Sequence, residues 1–86
     1  MKLIDMQKKE IGSVEINKDE IIIHTTAKRF DGITKKYMDD DKLSLFILVN
    51  YCVDNNPRWR QTDRYTFSKQ VDSFVMTKYE DNIYRD

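Results

Sequence analysis

Only three residues in this chain, Gly12, Gly32 and Pro57, belong to the types that punctuate backbone most strongly. In 86 residues that is sparse, so each mark constrains the elements on either side of it. Gly12 and Gly32 divide the first half, and Asn55-Asn56-Pro57 divides the second. The length suits one domain spanning 1–86, with one modest core. No repeat, low-complexity tract or linker interrupts it.

Val14-Glu15-Ile16, Asn17-Lys18-Asp19 and Glu20-Ile21-Ile22-Ile23 read as strand, turn and strand. Asn and Asp tolerate turn conformations, and an Ile run suits a pleated surface. Asp31-Gly32 carries the type I′ hairpin signature and predicts a ribbon with arms Thr25–Phe30 and Ile33–Met38.

Residues 42–54 fit two periods. Asp39-Asp40-Asp41 can cap a helix, with Leu45, Leu48, Val49, Cys52 and Val53 on one face and Asn55-Asn56-Pro57 as its stop. Leu43, Leu45, Ile47, Val49, Tyr51 and Val53 also alternate, as in a long central strand. The agreement of both end signals favours the helix. Residues 58–66 read as an irregular or extended connector. Phe67, Val71, Phe74, Val75 and Tyr79 then mark one face of an amphipathic helix, and 80–86 reads as a fraying tail. The expected fold is therefore α+β: an antiparallel meander of about three strands, followed by one or two helices packed on one face.

Candidate chemistry is thin. Cys52 is the only thiol and His24 the only imidazole. Cys52, among Val49, Tyr51 and Val53, is expected to be a buried core residue; His24 is expected on a strand surface or strand edge. One cysteine excludes an internal disulfide. The Asp39–Asp41 triplet does not converge as a metal site would, and glycines twenty positions apart cannot form a phosphate loop. No catalytic residue, cofactor or metal is therefore expected.

The formal net charge of zero conceals segregation. Basic stretches lie at 28–36 (Lys28, Arg29, Lys35, Lys36) and 58–69 (Arg58, Arg60, Arg64, Lys69), and acidic ones at Asp39–Asp41 and in the tail. The second basic stretch interleaves Trp59 and Tyr65. Trp, Tyr and Arg dominate binding energy at protein interfaces. Arg58, Trp59, Arg60, Arg64 and Tyr65 are therefore the expected partner-binding residues, with Asp39, Asp40 and Asp41 or the acidic tail meeting a basic nucleic-acid channel on the partner.

Ten Lys and nine Ile against a single Ala suggest an A/T-rich genome. The expected function is a small non-catalytic protein-binding module of phage or mobile-element type, inhibiting a host nucleic-acid-handling enzyme by occlusion. The alternative is a nucleic-acid-binding protein using both basic stretches. A second copy of the chain is a further candidate partner. No apolar run reaches a bilayer span, and the start, MKLIDMQKKE, lacks an apolar signal core, so a cytoplasmic protein without membrane contact is expected.

Overall fold

The computed structural model describes residues 1–85 and contains seven strands and no α-helix among them. These are β1 (Lys2–Ile4), β2 (Glu10–Asn17), β3 (Glu20–Thr25), β4 (Ile33–Asp39), β5 (Lys42–Val53), β6 (Asn56–Lys69) and β7 (Ser73–Arg85). They form one sheet in the order β3-β2-β1-β7-β6-β5-β4, curled into a near-barrel. The α+β expectation is thus overturned: both expected helices are strands. All pairings are antiparallel except β1 with β7, where Leu3 lies beside Phe74.

Residues 42–53 adopt the alternative, the long strand. Leu43, Leu45 and Ile47 are buried on one face, as a period of two requires. The residues read as helix ends are hairpin turns instead. Asp40 (φ 52°) sits in a two-residue turn between paired Asp39 and Lys42. Asp54 (φ 52°) and Asn55 (φ 64°) join paired Val53 and Asn56, the two left-handed residues of a type I′ turn. Pro57 is compatible with a strand because it sits beyond the reach of β7, whose pairing with β6 ends at Gln61, and beside a β5–β6 register shift.

The expected helix over 67–79 is broken in two by a turn that leaves Val71 fully exposed. Phe67 and Phe74 are fully buried, but from adjacent strands rather than adjacent helical turns. β7 continues to Arg85 through the segment expected to fray; Asp86 lies outside the described residues.

The turn and strands around 14–23 form as expected, as β2 and β3. The Asp31-Gly32 hairpin does not. Lys28–Phe30 make one 3₁₀ turn, Asp31 is right-handed (φ −66°), and Gly32 has no positive φ. Phe30 explains the difference. It is buried against Tyr65, edge to face at 5.0 Å, and near Phe67 at 6.3 Å. Burying a Phe side chain is worth roughly 2–3 kcal/mol, more than a turn preference.

The core comprises Leu3, Val14, Phe30, Leu43, Leu45, Ile47, Phe67, Phe74 and Met76. At the β1–β2 turn, Asp5 accepts the N–H groups of Gln7 and Lys9, each at 2.9 Å, and lies 3.7 Å from Arg29. The edges β3 and β4 flank a seam of about 400 Å³ lined in part by Ile21, Ile23, Ile33 and Lys36. β4 carries a register shift between Ile33 and Lys35, and Lys36 pairs with buried Leu45. A bulge and a charge on the core-facing register both discourage strand addition at such an edge. No helix of the described residues is long and apolar enough to cross a membrane.

Candidate binding surface

β5 and β6 pair along their lengths and run beyond the core as an arm, which makes the molecule elongated, 43 × 25 × 19 Å. From Asn50 to Arg58 every residue is exposed. Tyr51 and Trp59 are cross-strand partners with their rings stacked, centroids 5.1 Å apart and planes 16° apart. Aromatic cross-strand pairs stiffen a ribbon that has no core beneath it. Tyr51 and Val53 are exposed, and so is Cys52, against the expectation of a core thiol. Its alternation partner positions, Leu48 and Asn50, lie on the outer face of β5, away from Leu45 and Ile47.

Where the arm joins the barrel, the inner face turns polar. The Trp59 indole N–H donates to Gln61 Oε1 at 2.9 Å. Gln61 Nε2 donates to Asp63 Oδ1 at 2.7 Å and to the Asp81 carboxylate. The Tyr79 hydroxyl donates to Asp63 Oδ2, and the Asn82 backbone N–H to Asp63 Oδ1, both at 2.9 Å. Asn82 is left-handed (φ 59°) next to a β6–β7 register shift, and that bulge brings its N–H onto Asp63. Gln61 and Asp63 are buried, and no buried side-chain nitrogen or oxygen among the described residues lacks a partner.

These contacts set the protonation states. Burial pushes the Asp63 carboxyl up, but the Asn82 N–H, the Gln61 amide and the Tyr79 hydroxyl outweigh it and hold Asp63 below its ordinary value. Burial, then the hydrogen bond and charge of Asp63, push the Tyr79 phenol well up.

A carboxyl depressed on folding stabilises above its unfolded pKa, about 4, and that contribution is lost as pH falls through the lower folded value. Melting temperature is therefore expected to drop below about pH 4. Asp63→Asn, which removes the charge from the acceptor of three hydrogen bonds and makes the Tyr79 hydroxyl turn round to accept, is expected to cost about 1–3 kcal/mol at neutral pH. It should also flatten the acid limb, leaving the part due to Asp5, whose carboxyl is likewise held low, chiefly by the Lys9 N–H. Thermal melts of both proteins across that range check this.

The expected site residues do not form one patch. Arg58, Trp59 and Arg60 lie on the arm. Tyr65 turns inward onto Phe30 and Tyr79, and Arg64 outward onto Glu80, with Nε–Oε1 2.7 Å. Asp39, Asp40 and Asp41 occupy the turn at the far end of β5, roughly 37 Å from the tip at about 3.4 Å per residue. Sequence reading missed Tyr51, Gln61, Asp63, Tyr79 and Asp81. A period of two through Trp59, Gln61, Asp63, Tyr65 and Phe67 was the available signal. Among the described residues no three His, Cys, Asp or Glu side chains gather as a metal site. No family model, curated protein or solved structure matches this chain.

Proposed function

We propose that this chain is a non-catalytic protein-binding module whose β5–β6 arm is the contact element. The observation that carries the reading is the Tyr51–Trp59 stack, held beyond the core with Arg58 and Arg60 beside it on β6. Such rings offer large contact area at small entropic cost, and Trp, Tyr and Arg are the commonest interface hot spots. The Gln61–Asp63–Tyr79 network fixes the base of the arm, so less ordering remains to be done on binding. A narrow, stiff projection suits a cleft in the partner. Occlusion of a nucleic-acid-handling enzyme remains the class of action favoured, now through the arm alone, since the Asp39–Asp41 turn lies too far away to share one contact.

Trp59→Ala and Tyr51→Ala are expected to fold and each to lower partner affinity by about 2 kcal/mol or more, roughly thirtyfold. Charge reversal at Arg58 should mainly slow association. Capture from a nuclease-treated lysate, followed by titration of the captured protein against each variant, measures this. Unfolding of Trp59→Ala, or unchanged affinity in both variants, would defeat the reading.

A further inference from the structure

We propose that the outer face of β4–β7 is a groove for single-stranded nucleic acid, centred on Phe46. The surface is separate from the aromatic stack of the arm. Strand register builds it in rows. One row across the four strands reads Lys35, Phe46, Arg64, Glu80; the next reads Tyr37, Ser44, Thr66, Lys78. These residues, with Asp39 and Lys42, line a groove of about 390 Å³. Lys35 comes from the first basic stretch and Arg64 from the second, so the fold joins two segments nearly thirty residues apart in sequence around one ring.

The geometry around that ring is specific. Lys35 Nζ lies 5.6 Å from the ring centroids of both Phe46 and Tyr37, and the Arg64 guanidinium carbon lies 5.8 Å from Phe46. An antiparallel sheet with one face in water normally presents polar residues there. Phe46 and Tyr37 depart from that rule, and they do so side by side with cations close to their rings. Aromatic faces among cations are what a single strand uses: bases stack on the rings while phosphates meet the cations. Four cations face two carboxylates. Glu80 takes Arg64 at 2.6 Å and Lys78 at 3.8 Å, whereas Lys35 and Lys42 are in no ion pair among the described residues. Zero net charge is no obstacle, because the charge that a strand meets is local to the groove.

The run of the strand also follows. The Asp39–Asp41 turn closes one end of the groove with negative charge. In the other direction the same face continues through Leu48 and Thr62 to Tyr84, which is exposed and paired with Thr62. Tyr84 lies roughly 12 Å from Phe46 by strand geometry, a span of a few nucleotides. A duplex hides its base faces and cannot use these rings.

The test is fluorescence anisotropy with a labelled oligothymidylate of about 16 nucleotides and a duplex of the same length. It is run at about 50 and 200 mM salt. The single strand is expected to bind and the duplex to bind at least tenfold more weakly. Phe46→Ala should lose about tenfold or more, as removal of a stacking platform does. Phe46→Leu, which keeps the apolar volume and removes the plane, should lose most of the same affinity and guards against misfolding of the Ala variant. Lys42→Glu should weaken binding and flatten its salt dependence. Absence of single-strand binding, equal or tighter duplex binding, or loss in Lys42→Glu with none in either Phe46 variant would overturn the proposal. The last result would mean generic attraction of a polyanion.

Discussion

Phe67→Ala is expected to abolish cooperative unfolding or bring its midpoint close to zero denaturant. Phe67 is fully buried at the centre of the sheet, paired with Leu43 on one side and Met76 on the other, with Phe30 near its ring. Truncating a buried Phe costs about 3–5 kcal/mol, partly as transfer free energy and partly as the cavity left behind. A chain of this size has on the order of 4–13 kcal/mol in total. Close packing here couples three strands and the Phe30 plug, so partial collapse of the cavity would disturb all of them. Equilibrium urea denaturation followed by tryptophan fluorescence and circular dichroism measures the change. An unaltered midpoint would mean that this position is not at the centre of the core.

Gly12→Ala should be nearly as damaging, for a different reason. A Cβ placed on Gly12 would lie 2.1 Å from the carbonyl oxygen of His24 and 2.9 Å from Thr25 Cβ. Gly12 has no positive φ, so space and not dihedral preference demands glycine. The obstruction is backbone, which cannot swing aside as a flexible side chain can. Gly12 pairs with both Leu3 and Thr25, so displacing it loosens β2 from β1 and β3 together. Overpacking of this kind costs about 1–3 kcal/mol and more where backbone must move. Amide exchange of β3 should accelerate well beyond that of β5 and β6, since the defect lies at the β3 side of the sheet. Equal protection of β3 in the variant and the parent would show that the strands accommodate a methyl group.

The two surfaces proposed above draw on opposite properties of one long ribbon. The inner face leaves the barrel carrying the Tyr51–Trp59 stack, over a base of fully satisfied polar groups. The outer face carries Phe46 and Tyr37 among lysines and Arg64. Alternation along β5 and β6 puts Tyr51 and Trp59 on the opposite face from Phe46 and Arg64, so Trp59→Ala and Phe46→Ala are expected to affect different partners.

Local chemistry in the sequence was enough for β2, its turn and β3, because an Ile run flanked by Asn-Lys-Asp has one low-energy reading. It was also enough to mark Phe67 and Phe74 as core, whereas Trp59, read as a partner-binding residue, is half-buried between exposed Arg58 and Arg60. Residues 42–53 satisfied both a helical and a strand period, and Asp39–Asp41 and Asn55 serve equally as helix ends or left-handed hairpin turns. What decided between them was pairing: β5 and β6 each offer a dozen residues to the other, and the β1–β7 contact joins Leu3 to Phe74 across the whole chain. The β1–β7 contact is nonlocal, so no window of sequence contains it, and the β5–β6 hairpin, though contiguous in sequence, is held by cross-strand pairs that the periodicity of one segment does not show. The same holds for the sites. The carboxylate of Asp63 meets Tyr79, Gln61 and Asn82 only because β6 and β7 adjoin with a bulge, and Lys35 meets Arg64 only across Phe46. Residue types were set by the sequence; which of them share a face, and which are taken out of water, was decided by tertiary pairing.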